Sequence, residues 1–335
     1  ALAATLPFFL FAALLATTAA LLAVAAPVAH AATPAIRPDA IVAADGSGNF
    51  KTVQDAINKT PQTASREKPH TILVKPGVYN EIVYIQREKR GVRLIGENAA
   101  TTIITHNLNA KMPGPDGKPI GTFRTPTLQL DADDFTIENI TIENTAGNVG
   151  QALALRVDGD RATFRHCRFN GYQDTILINH GRQYFENCVI TGATDFIFGG
   201  ATAWFENCDI ICVAGNYITA ASTPKDTAHG YIFSRCRVTA ANPGVRTHLG
   251  RPWRPHAATI FMHCELAACI RPEGWQKWNV AAPAETVRYA EYKNTGPGAA
   301  PDKRVAWSRQ LTDAEAAALT PRAVLGGADD WHPAE

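Results

Sequence analysis

The sequence predicts an all-β chain wound as a right-handed parallel β-helix, with a short N-terminal capping helix and a C-terminal loop and helix tail. Three observations lead there. The signature Phe-x-x-Cys recurs, ending at Cys167, Cys188, Cys208, Cys236 and Cys264, in steps of 21, 20, 28 and 28 residues. A period in that range marks a solenoid, in which each repeat is one coil stacked on the last. Each repeat also carries short alternating runs such as Ala203-Trp204-Phe205-Glu206-Asn207-Cys208, and the same alternation appears upstream from Phe135 to Asn144. Period-two patterning punctuated by Gly and Asn reads as strands and turns. Finally, no helical crossover separates successive strands, which excludes a doubly wound α/β sheet.

The elements follow in chain order. From Leu6 to Val28 the sequence is uncharged and rich in Ala and Leu, and it ends in Ala29-His30-Ala31. This is the pattern of a secretory signal peptide with its cleavage site. Residues 1–31 are therefore read as a leader, incomplete at its start because it lacks Met and a basic segment. Residues 32–40 are a short linker, and 41–335 a single β-helix domain, secreted to the periplasm or the extracellular space. Thr52 to Asn58 reads as a helix closing the N-terminal end of the coil, a cap that solenoids require. His106–Gly121 and Asn242–His248 read as loops. Thr312-Asp313-Ala314-Glu315 has an N-cap followed by early acids and opens a short helix near the tail.

The Phe and Cys positions are expected to stack as ladders within the core. Seven Cys is an odd number. In an exported protein Cys188 and Cys208, one coil apart in the same register, are either bridged or part of a reduced, buried ladder. A net charge of +1 gives no reason to expect nucleic acid as a partner. The ten His are scattered and none shares metal-site spacing with a Cys, so no metal or cofactor is expected.

Two aspartates stand apart from the packing pattern. Asp174 and Asp195 each lie seven residues after the repeat Cys and three after a Gly. Stacked one coil apart, they would sit roughly 5 Å from each other. Like charges that close push one pKa upward, supplying an acid and a nucleophile or base from one residue type. Gln173 precedes Asp174, and Gln151 lies about one coil earlier; neutral amide donors suit an oxyanion. Arg251 can hold one carboxylate ionised through paired hydrogen bonds. Trp253 beside it offers a flat apolar surface for a sugar ring.

Five segments then carry a resemblance. Gly77-Val78-Tyr79-Asn80-Glu81, Gln151-Ala152-Leu153-Ala154-Leu155, Gly171-Tyr172-Gln173-Asp174-Thr175, Asp195-Phe196-Ile197-Phe198-Gly199 and Leu249-Gly250-Arg251-Pro252-Trp253 resemble, in order, the signature blocks of pectin methylesterases. The resemblance runs from about Val42 to Trp331. It implies a parallel β-helix esterase that removes methyl esters from pectin and leaves pectate and methanol. By resemblance Asp195 is the nucleophile and Asp174 the general acid and base. Gln151 and Gln173 form the oxyanion hole, and Arg251 orients Asp195. Phe198, Trp253 and Trp275 line the sugar cleft, and Thr127 contacts substrate. The Cys188/Cys208 pair resembles the bacterial type, since Ile140 stands where plant relatives have a Cys. Leu177 replaces an aromatic wall common in the family. The expected partner is a pectin or polygalacturonate chain, bound by a monomer with no stable membrane association. Alternatives are a same-fold esterase or thioesterase acting on another substrate, and a pectate lyase or polygalacturonase-like enzyme. A carboxylate pair roughly 5 Å apart is too close for an inverting hydrolase, which needs room for water between them.

Overall fold

A computed structural model describes residues 37–279 and 284–334. The proposed leader and cleavage site lie outside the described residues. Arg37–Glu335 forms one compact unit. Its strands pair in parallel at every named strand–strand ladder and wind into a right-handed parallel β-helix with three faces.

The first face is an 11-stranded sheet that begins at Ala40–Val42 and His70–Val74 and ends at Arg288–Tyr292 and Arg309–Gln310. The second and third faces join where two long strands, Val189–Gly199 and Asp209–Ala221, run through the corner that other coils turn with a break. The core is built of ladders. Phe164, Phe185, Phe205, Phe233 and Phe261 stack with successive ring centroids 4.6, 4.6, 4.4 and 4.3 Å apart and nearly coplanar. The repeated Phe therefore fills the same interior position on each coil, which is why the spacing was visible in the sequence.

The residue before each ladder Cys explains the turn. His166, Asn187, Asn207, Arg235 and His263 all take φ between 52° and 55°, a left-handed corner repeated once per coil. Asn tolerates that region better than most residues, and a single left-handed residue turns the strand sharply.

The cysteines correct one expectation. All seven are free and buried, Cys188 and Cys208 included. The Cys188 thiol donates to the carbonyl of Phe164 at 3.5 Å, and Cys208 to that of Phe185 at 3.6 Å. Cys236 and Cys264 bond in the same way to Phe205 and Phe233. The repeat thus gives each thiol a backbone acceptor on an earlier coil, and the ladder is satisfied without a bridge.

The N-terminal end is capped as expected. The N-terminal helix is Val53–Lys59, with the Thr52 side chain accepting from Asp55 N. Glu81 also accepts from Val53 N and Gln54 N, at 2.8 and 2.9 Å, so the Gly77–Glu81 block holds this cap rather than contributing to the chemistry. At the other end Asp313–Ala318 opens with a full Thr312/Glu315 capping box. With Pro321–Leu325 it covers the outside of the first face over Tyr184, Trp204 and Met262.

Candidate active site

The site lies where the second and third faces meet. Gln151, Gln173 and Thr194 are bridged in parallel across successive coils, and Thr194 is in turn paired with Tyr217. Asp174 and Asp195 each follow one member of this column, so they stand on neighbouring coils. The Asp174 amide donates to Thr194 O at 3.0 Å. Both aspartates are left-handed, with φ of 64° and 49°. The pairing register of Val189–Gly199 with the next strand shifts on either side of Thr194, in the bulge-like manner that re-aims side chains near active sites.

Their environments differ. Arg251 Nε donates to Asp195 Oδ1 at 2.9 Å and Arg251 Nη2 to Oδ2 at 2.6 Å, a bidentate charge-assisted pair. Gly250 makes this reach possible, because a Cβ there would collide with Thr219 Oγ1 on the preceding coil. Asp174 has no hydrogen-bonding side-chain partner among the described residues. It is 8 % exposed, and burial, reinforced by the Asp195 charge and only opposed by Arg251, pushes its carboxyl up to about 8. Asp195, 5 % exposed, is raised by burial, with the Arg251 hydrogen bonds pulling against that shift. The proton therefore belongs on Asp174 and the negative charge on Asp195. The side-chain amides of Gln151 and Gln173 are half-buried beside the pair and make no hydrogen bond to the described protein, so their N–H groups are available to a ligand.

Three expected binding residues sit differently from the sequence reading. Trp275 is 1 % exposed, with its ring packed against Phe261 and Tyr289 in the core. Thr127 is fully buried, and its hydroxyl donates to Glu143 O at 2.9 Å. Phe198 packs on Leu177, Leu153 and Ala220 beneath Trp253, with ring centroids 5.9 Å apart. Leu177, which stands where relatives commonly have an aromatic wall, is buried and packs with Phe198. Of the four, Trp253 alone is not buried.

Sequence reasoning missed Tyr217 and Trp278 as site residues. The Arg251 guanidinium carbon lies 4.1 Å from the centroid of each ring. Trp278, 36 % exposed, lines a cavity beside Arg251 together with Tyr217 and Trp275. A cation with two rings over it loses freedom to swing away from Asp195. The only signal was a Trp three residues beyond Trp275, inside a stretch where the repeat had faded.

A pectinesterase family model matches residues 39–328. The chain belongs to the pectinesterase family. Pectinesterase 31 of Arabidopsis thaliana is 38 % identical over 281 residues, covering 82 % of this chain and 88 % of its own. A pectinesterase of Petunia integrifolia is 37 % identical, covering 88 % of this chain and 81 % of its own. Against Putative pectinesterase/pectinesterase inhibitor 45 of Arabidopsis thaliana, 39 % identical over 89 % of this chain, it spans only 50 % of the relative's length. Among solved structures, pectin methylesterase from carrot superposes with a TM-score of 0.81 at 34 % identity, covering 89 % of this chain and 96 % of the other. PemA from Erwinia chrysanthemi gives 0.77 at 32 %, covering 89 % and 99 %. Plant and bacterial pectinesterases thus match alike, and the free Cys188 and Cys208 give no ground for a bacterial subgroup.

Proposed function

We propose that this pectinesterase hydrolyses the C6 methyl esters of pectin through an aspartyl acyl-enzyme, releasing methanol and leaving pectate. One observation carries the reading: a carboxylate held by two Arg251 hydrogen bonds stands on the coil next to an unpartnered carboxyl raised to about 8. That is a nucleophile beside an acid. The related pectin methylesterase solved with a bound hexasaccharide, 32 % identical with a TM-score of 0.77, supports a pectin-like chain as the ligand.

Ionised Asp195 attacks the ester carbonyl carbon, and the electron pair moves onto the carbonyl oxygen, where the Gln151 and Gln173 amides receive it. Collapse re-forms the carbonyl and breaks the bond to the methoxy oxygen. Asp174 gives its proton to that oxygen, so methanol leaves as a neutral molecule. The Asp174 carboxylate then takes a proton from water, whose oxygen attacks the acyl carbon. Asp195 departs as carboxylate, and Asp174 is again protonated. Trp253 provides an apolar face for a sugar ring, and the residues require no metal for any step. Export through the 1–31 leader would bring the domain to its polymer substrate, where it acts as a single chain.

Methanol release from highly methylated pectin tests this, with Asp195→Ala and Asp174→Ala alongside. Wild type should release methanol, and both variants should lose most of the rate. Undiminished release by Asp195→Ala would overturn the mechanism. Turnover of a small acyl thioester with no methanol from pectin would favour a same-fold thioesterase.

A further inference from the structure

A cavity of about 410 Å³ lies on the outside of the first face, where the tail helix Asp313–Ala318 contributes to its wall. Ile232, Ile260 and Ala290 stand in register on three successive coils and form part of it. Gly230 lies against Ala258, so closely that a Cβ on the glycine would come within 2.2 Å of the Ala258 carbonyl oxygen. Small residues therefore leave room on this stretch of the sheet, and Leu311, Leu319 and Trp307 complete an apolar lining.

The charged residues of the lining are unequally matched. Arg309 and Glu315 pair with each other at 2.5 Å, and Glu315 is held further by Thr312. Arg288 has no such partner. Its Nη1 donates to Thr227 O and Ala228 O at 2.9 and 2.8 Å and its Nη2 to His256 O at 3.1 Å, but among the described residues no carboxylate pairs with it. A guanidinium has five N–H groups, so the Nε–H and one Nη2–H are left without an acceptor there. Burial lowers the Arg288 pKa, and no acid opposes that shift. His229 also lines the cavity; burial and the Arg288 charge hold it below its ordinary pKa, so it is neutral at pH 7. Its ring makes no hydrogen bond among the described residues and can donate to a ligand.

A partly buried cation without a counter-charge is costly, and an anion that reaches it offsets the cost. Arg288 suits a carboxylate in particular, since a planar fork of N–H groups matches two carboxylate oxygens. The rest of the lining selects against a wholly polar anion, which would leave Ile232, Ile260 and Leu319 in contact with water. A sugar acid, hydroxylated around its ring, would leave its hydroxyls unpaired against the same walls. Apolar walls with a few polar groups that fix orientation are the usual make-up of a small-molecule pocket, and the volume is in the usual range. We propose that this cavity binds a small monocarboxylic acid with an apolar body, its carboxylate on Arg288 and its body against Ile232, Ile260 and Leu319. The site is separate from the aspartate pair and does not depend on the pectin reading.

Calorimetric titration of octanoate, octan-1-ol and octylammonium into the protein tests this, since the three share one apolar body and differ in charge. Octanoate should bind saturably, with a Kd on the order of 1 mM or tighter for a ligand of about ten heavy atoms. Octan-1-ol should bind about tenfold more weakly, for want of the charge-assisted contact, and octylammonium should not bind. Ala290→Leu fills part of the cavity and should weaken octanoate about tenfold. Arg288→Met should bring octanoate down to the level of octan-1-ol. Thermal melting verifies that both variants fold, and a wild-type crystal soaked in octanoate should place the carboxylate within hydrogen-bond distance of Arg288 with no substitution at all. Equal binding of acid and alcohol by wild type, octanoate bound away from Arg288 in the crystal, or octanoate affinity unchanged in a folded Ala290→Leu protein overturns the proposal.

Discussion

Replacing Asp174 with Asn should stabilise the protein in a pH-dependent way while abolishing its chemistry. Asn preserves the shape and tolerates the left-handed φ of 64°, so the backbone need not move. Burial and the Asp195 charge hold the native carboxyl up at about 8, against an ordinary value of 3.8. A group whose native pKa is raised binds more protons folded than unfolded, so its contribution to stability falls as pH rises between those values. Well below pH 3.8 the carboxyl is neutral in both states and costs nothing, and at pH 4 the cost is still only about 0.5 kcal/mol. At pH 7 the gap above 3.8 is about 3 units, or roughly 4 kcal/mol at 1.36 kcal/mol per unit, as an upper limit. Asp174→Asn removes that penalty. Urea unfolding of wild type and variant at pH 4 and pH 7 measures it. The variant should lie within about 0.5 kcal/mol of wild type at pH 4 and exceed it by up to about 4 kcal/mol at pH 7. Equal differences at the two pH values would mean that Asp174 is not held protonated, and its assignment as the acid would fall with it.

The same pair sets the pH–rate profile: kcat/KM should fall as pH rises through about 8, because Asp174 loses the proton that methanol needs. Arg251→Lys removes the bidentate geometry from a buried carboxylate and should cost about 10²- to 10³-fold in kcat/KM. Its acid limb should move to higher pH, since Arg251 lowers the Asp195 pKa; an unmoved limb in the pH profile would deny that role. Gln173→Ala should lower kcat by about 10²-fold with little change in KM, as expected for a donor used mainly in the transition state. Phe205→Ala, in the middle of the ring ladder, should cost about 3–5 kcal/mol in urea unfolding. Thiol titration of the denatured, unreduced protein should find seven free cysteines, and reductant should leave the melting temperature unchanged; a count of five would restore a bridge.

The fold and the centre of the site were legible for the same reason. A solenoid gives each interior position one environment per coil, so Phe164 through Phe261 repeat in sequence because they repeat in space. Asp174 and Asp195 could be paired from their shared offsets to Gly and Cys for that reason too. Legibility ended where the periodicity did. Trp275, Trp278 and Tyr217 lie in stretches where coil length or pairing register changes, and offsets no longer told which ring faced the core and which the groove. Thr127 had no repeat partner to place it, and its hydroxyl is used by Glu143. The thiols failed differently. Register alone put Cys188 next to Cys208, but the carbonyl that each sulfur meets on an earlier coil depends on the left-handed corner before it.

Two chemically identical residues at equivalent repeat positions end in opposite protonation states, and repetition cannot explain that difference. A regular coil would give Asp174 and Asp195 the same neighbours one step apart. The symmetry is broken by the longer coils that follow: between Cys208 and Cys236 the step grows to 28 residues. The long strand Asp209–Ala221 carries Tyr217 into the column beside Thr194. The next coil pairs Gly250 with Thr219, leaving Arg251 placed to reach back to Asp195 while making no hydrogen bond to Asp174. One cation delivered to one end of the pair is enough to fix where the proton stays. The duplication supplied two carboxylates, and the departure from duplication turned them into a nucleophile and an acid.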